Sequence, residues 1–112
     1  MKLTNQSFAI NIPDQDIAQF CQHWNVSQFY LFGSVLRSDF TDQSDIDVMV
    51  QFQTDAQIGW EIVTMNDELE AIFQRRVDLT TKQGIEQSDN WLRRQNILDS
   101  ATLIYEQEES GL

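Results

Sequence analysis

Basic residues are scarce in this chain: seven Lys and Arg stand against 18 Asp and Glu, a formal net charge of −11 over 112 residues. A surface of that sign repels nucleic acid over most approaches, so phosphate-driven binding to DNA or RNA is not expected. An anionic ligand needs local help from a metal ion, aimed backbone amides or a neighbouring arginine, and a basic protein partner suits the acidity better. Cysteine occurs once, at Cys21, which excludes an internal disulfide and any Cys-based zinc site built from one chain. Cys21 reads as a small core residue. Proline also occurs once, at Pro13. No apolar run approaches the length of a signal peptide or a membrane span, so the expected location is cytoplasmic, with no membrane association.

Apolar residues make up 41% and aromatic residues 11% of the chain, with Phe and Trp spread along it, which argues for a packed globule over disorder. Its length fits a single domain over residues 1–112 with one modest core. After Pro13, the residues Ile17, Phe20, Cys21 and Trp24 recur at helical spacing and predict a first helix over 14–24. His23 lies beside that stripe without a metal-binding neighbour at ligand spacing and reads as a surface residue. Val26 to Phe32 is β-branched and aromatic and runs into Gly33, the pattern of a strand ending in a tight turn.

Residues 34–38 read as a short helical turn and 39–44 as a polar loop. From Asp45 to Phe52 the pattern alternates. Ile46, Val48, Val50 and Phe52 face one way, and Asp45, Asp47, Met49 and Gln51 face the other. Ile58, Ile62, Met65, Leu69, Ile72 and Phe73 predict a helix over 57–75 that packs on the sheet. Val77 to Thr81 is a third strand. Trp91, Leu98, Ala101 and Tyr105, with Ile97 and Ile104 beside them, predict a last amphipathic helix before a polar tail from Gln107 to Leu112. The fold class is therefore α/β or α+β with a small sheet.

Chemistry concentrates in the aspartates. Asp45 and Asp47 at i and i+2 on one strand share a face, and two such charges at ~4 Å with an effective dielectric near 20 repel by about 4 kcal/mol, which calls for a cation. Oxygen-only donors suit Mg²⁺ or Mn²⁺ over zinc. Asp78, flanked by Val77 and Leu79, is placed to face outward with them, although a lone aspartate there also fits a charge that guards an edge strand. Gly33-Ser34 between a strand and a helical turn offers amides and a hydroxyl to an anion such as a triphosphate, although alone the pair is an ordinary turn. Arg37, one turn later, either reaches the same phosphates or is a solvated surface residue. An Asp-x-Asp sugar transferase would need a longer chain, and an EF-hand would need an Asp-x-Asp-x-Asp-Gly order that is absent.

The combination of Gly33-Ser34, ten intervening residues, Asp45-Ile46-Asp47 and then Asp78 resembles the signature of the polymerase-β-like nucleotidyltransferases. More narrowly, Phe32 to Arg37 together with Ser44 to Val50 is similar to the minimal nucleotidyltransferase (MNT) antitoxins paired with HEPN-domain toxins, over roughly residues 29 to 80. Ser38 departs from the glycine that many relatives carry. The resemblance implies a nucleotidyltransferase fold with a mixed sheet, in which Gly33 and Ser34 hold the phosphates of ATP and Asp45, Asp47 and Asp78 hold two Mg²⁺ ions. Asp78 would also help deprotonate the acceptor. The implied activity is transfer of AMP from ATP to a tyrosine hydroxyl of the HEPN toxin, with which the chain would form a hetero-oligomer. The other class of function open to the same chain is a non-catalytic antitoxin that neutralises its partner by stoichiometric binding.

Overall fold

A computed structural model describes residues 12–33, 44–53 and 59–107 of the chain. Along it run α1 (Asp14–Trp24), β1 (Val26–Phe32), β2 (Ile46–Phe52), α2 (Glu61–Phe73), β3 (Val77–Thr81), α3 (Lys82–Glu86), α4 (Trp91–Ser100) and β4 (Thr102–Glu106). The four strands form one mixed sheet in the order β3-β2-β1-β4, with β1 antiparallel to both β2 and β4, and β3 parallel to β2. This is the mixed α/β architecture expected from the sequence. Among the described residues no helix is long and apolar enough to cross a membrane.

The first helix and the first three strands follow from local pattern. Pro13 caps α1 through its carbonyl, which accepts from the Ile17 amide at 3.0 Å, and the left-handed Asn25 ends the helix with its N–H on the Cys21 carbonyl. Ile17, Phe20 and Cys21 are buried on the sheet-facing stripe, and burial pushes the Cys21 thiol up from its ordinary pKa. His23 is exposed, with its ring edge-on to Trp24 at 4.8 Å. The main core joins α1 and α2 to the face of the sheet that carries Phe29, Leu31, Ile46, Val48, Val50 and Val77. The Trp24 indole N–H donates to Glu68 at 3.1 Å and ties the two helices together.

Several expectations change. The second helix, predicted over 57–75, begins at Glu61, after a bend and turn at Gly59 and Trp60, and it stops at Phe73 because Gln74 turns left-handed. Met49 does share the face of Asp47, but it is buried there with Phe32, Ile85 and Ile97 in a second, smaller core under α3 and α4. The predicted helical turn at 34–38, most of the loop at 39–44 and the stretch 57–58 lie outside the described residues.

The largest correction is at the C-terminal end. The last helix stops at Ser100, and the chain extends into β4, where Ile104 and Tyr105 are buried against β1. Thr102, Ile104 and Tyr105 favour a pleated, half-buried surface, and the open side of β1 supplies the partner. Gln107 then locks the strand in place: its side-chain amide donates to the carbonyls of Val26 at 2.7 Å and Cys21 at 3.1 Å. Because Ile104 is fully buried in this arrangement, Ile104→Ala is expected to reduce the unfolding free energy by about 2–5 kcal/mol, read as a lower urea midpoint at unchanged slope. A loss below ~0.5 kcal/mol would remove β4 from the core.

Candidate active site at the acidic end of the sheet

Pairing register decides which side chains meet at the end of the sheet where β1 finishes and β2 and β3 begin. In the parallel pair, Asp47 stands opposite Asp78, and Ile46 opposite Val77. Residues in register on neighbouring strands project to the same face from backbones about 4.8 Å apart, so these two carboxylates are cross-strand neighbours. Ile46 and Val77 point the other way and are buried, which fixes both strands against rotation. Asp78 is exposed and Asp47 half-buried.

On the other side of Asp47 lies the end of β1, where Phe32 pairs with Asp47 and Gly33 follows. Gly33 has φ +78°, a left-handed conformation open to glycine at little cost. A Cβ placed on it would collide with Asp47 Oδ2 and come within 3.2 Å of Asp47 Cγ. The glycine is therefore needed twice, once for the turn and once for the close approach of backbone to carboxylate. The sequence pointed to Gly33 as a turn and phosphate site. It did not show that the missing side chain makes room for Asp47.

Asp45 comes two residues before Asp47, one position ahead of β2. Its Oδ1 lies 3.3 Å from Arg76 Nε, an ion pair in which the Asp45 side chain is half-exposed and that of Arg76 largely exposed. The pairing follows from the backbone, because the Ile46 amide donates to the Arg76 carbonyl at 2.9 Å and brings the two residues alongside each other. Asp45, Asp47 and Asp78 are thus at one end of the sheet. Among the described residues, however, no three His, Cys, Asp or Glu side chains are grouped closely enough to hold a metal ion. Asp45 is turned toward a guanidinium in place of the other two carboxylates. Arg76 was not singled out from the sequence, although Arg75-Arg76 is conspicuous in a chain with so few basic residues. Ser34 and Arg37 lie outside the described residues.

The donor chemistry fits a divalent cation. Carboxylate oxygens without nitrogen or sulfur suit Mg²⁺ or Mn²⁺, and like charges on adjacent strands are stabilised when such an ion sits between them.

Comparison with known proteins bears on the family and the fold. The family model for the nucleotidyltransferase domain matches residues 16–104. A protein of Methanocaldococcus jannaschii named "Putative protein adenylyltransferase" is 38% identical over 63 residues, which cover 55% of this chain and 63% of the relative, less than two thirds of its length. Among solved structures, the chain is similar to one in a crystal structure of a toxin-antitoxin with AMP-PNP, with TM-score 0.66, 18% identity, and 87% of this chain and 76% of that one covered. It is also similar to one in a structure of a tri-AMPylated Shewanella oneidensis HEPN toxin in complex with MNT antitoxin, with TM-score 0.57, 19% identity, and 84% and 70% covered. At those identities the structures speak for the fold, and the family match speaks for descent. With β1, β2 and β3, the glycine turn and the paired aspartates inside the matched region, the chain belongs to the nucleotidyltransferase-domain family.

Proposed function

We propose that the chain is a Mg²⁺-dependent enzyme that transfers AMP from ATP to a tyrosine hydroxyl of a HEPN-type toxin, and thereby acts as its antitoxin. The observation that carries this reading is the in-register pairing of Asp47 with Asp78 beside a glycine whose missing side chain makes room for the Asp47 carboxylate. The name of the archaeal relative supports AMP transfer. The AMP-PNP and HEPN complexes in which similar chains occur support a nucleotide substrate and a toxin partner.

In this reading Gly33 and Ser34 receive the triphosphate through their backbone amides, with Arg37 as a further phosphate contact. Asp45, Asp47 and Asp78 would hold two Mg²⁺ ions, with the Asp45 carboxylate released from Arg76. Bound there, the ions would supply positive charge to the attacking and departing oxygens. The hydroxyl oxygen of the acceptor forms a bond to the α-phosphorus while the bond from that phosphorus to pyrophosphate breaks. The hydroxyl proton passes to the exposed Asp78 carboxylate, and the products are an AMP ester and pyrophosphate. The net charge of −11 suits a basic partner protein that supplies its own docking surface.

Incubation of the partner with the chain, ATP and Mg²⁺ should raise its mass by AMP units of about 329 Da, the increment left when pyrophosphate departs. An unmodified but fully inhibited partner would mark the chain as a stoichiometric inhibitor.

Asp47→Asn tests the carboxylate pair by the sign of a stability change. If Asp47 and Asp78 are held together for metal, the metal-free variant loses a repulsion and should melt at or above the parent temperature. The same variant should lose both AMP transfer and the stabilisation given by Mg²⁺ with ATP. Thermal melts of both proteins with and without Mg²⁺ and ATP decide it. A variant that melts well below the parent yet still transfers AMP would make Asp47 a structural residue.

Gly33→Ala should lower stability by roughly 1–3 kcal/mol through its left-handed backbone, and should abolish Mg²⁺-ATP binding by displacing the Asp47 carboxylate. Calorimetric titration of the folded variant with ATP and Mg²⁺ checks this, and parental affinity would refute the close approach as a functional requirement.

A further inference from the structure

Among the described residues, the strand that carries Asp78 is at the edge of the sheet, with β2 on one side and no strand on the other. It is five residues long and joined by parallel pairing, the slightly weaker kind. Along such a strand alternate N–H groups face opposite edges, so those of Val77 and Leu79, on either side of Asp78, point away from β2 and have no ladder partner. Both are nevertheless satisfied. The Val77 amide donates to Glu70 Oε2 at 3.1 Å and the Leu79 amide to Asn66 Oδ1 at 3.2 Å.

The two acceptors are four residues apart on α2, and the two donors are two residues apart on β3. Four residues of helix rise about 6 Å and two residues of strand about 6.6 Å, so one helix face matches the outward amides of one strand edge. The later donor pairs with the earlier acceptor, as it must for a helix that runs antiparallel to the strand. Met65 and Leu69, beside the acceptors in sequence, are fully buried and fix the helix on the core, so Asn66 and Glu70 act from a rigid support.

The structure assigns Asn66 and Glu70 as positioning residues for Asp78: they clamp its strand on both sides and hold its carboxylate in register with that of Asp47. This rests on the nucleotidyl-transfer reading of the site, in which Asp78 must meet a metal ion held jointly with Asp47. Both residues bond the backbone of β3 rather than the Asp78 side chain. Their effect passes through the backbone of β3, in the way that outer partners orient metal ligands in general.

The test uses the full chain and needs no partner. Asn66→Leu and Glu70→Leu each remove one acceptor, while Asn66→Asp and Glu70→Gln each retain one. For each protein, Mg²⁺ is titrated in the presence of ATP and followed as the rise in melting temperature. Amide exchange at Val77 and Leu79 is measured in parallel. Each leucine variant should show faster exchange at the amide it has lost and should require at least about tenfold more Mg²⁺ for half-maximal stabilisation. The acceptor-retaining variants should keep the parental midpoint. Two leucine variants are used so that one that does not fold leaves the other to decide. Leucine variants that exchange faster and melt lower but keep the parental Mg²⁺ midpoint would reduce the clamp to an edge cap and overturn the inference alone. A parent that Mg²⁺ with ATP does not stabilise at all would instead withdraw the reading of the site, and this inference with it.

Discussion

Two carboxylates on neighbouring strands repel each other, and a sheet can hold them side by side only if other forces fix its register. Here that work falls to the opposite face. Ile46 and Val77 are paired directly beside Asp47 and Asp78, and both are buried in the core with Val48 and Val50. Slipping either strand by one residue would turn those side chains into water and drive the aspartates into the core, at a cost far above the repulsion between two partly solvated charges. The main core therefore sets the acidic site, although none of its residues belongs to it. The smaller core of Phe32, Met49, Ile85 and Ile97 lies on the same face as the aspartates and closes the sheet beyond them, so the site is confined to one end.

Most of this was legible where a local pattern had no competitor. Val26 to Phe32 and Val77 to Thr81 were bounded correctly, because the first β-branched and aromatic run is cut off by Gly33 and the second follows the polar Gln74-Arg75-Arg76. Gly33, Asp47 and Asp78 stood out because glycine after a strand and aspartate between buried residues each carry a chemical reason. What was not legible depends on contacts distant in sequence. Leu98, Ala101 and Tyr105 fit helical spacing, yet Thr102 to Glu106 pairs with β1, and only the free edge of that strand decides between the two. Met49 fitted the alternation correctly. Its burial depends on α3 and α4, and α3 is a five-residue turn started by the Thr81 hydroxyl accepting from the Gly84 amide.

Asp45 shows the same limit within the site. Its spacing from Asp47 predicts a shared face, but the chain at that point is just outside the strand and is governed by the Arg76 guanidinium. Such a pair at a solvated edge is weak and exchangeable, so it sets the carboxylate's resting orientation without deciding its chemistry. Sequence spacing locates a residue along the chain. The orientation of its side chain waits on neighbours that only folding supplies.

The anchorage of Gln107 gives the molecule two poles. Its amide holds the end of β4 against Val26, at the start of β1, whereas Gly33 and the aspartates lie at the other end of that seven-residue strand, about 20 Å away. Gln107 is thus fastened at the pole remote from the acidic one. A fluorophore or surface tether attached there would be separated from the aspartates by the length of the sheet, which makes that pole a natural handle for immobilising the protein with its acidic end facing solution.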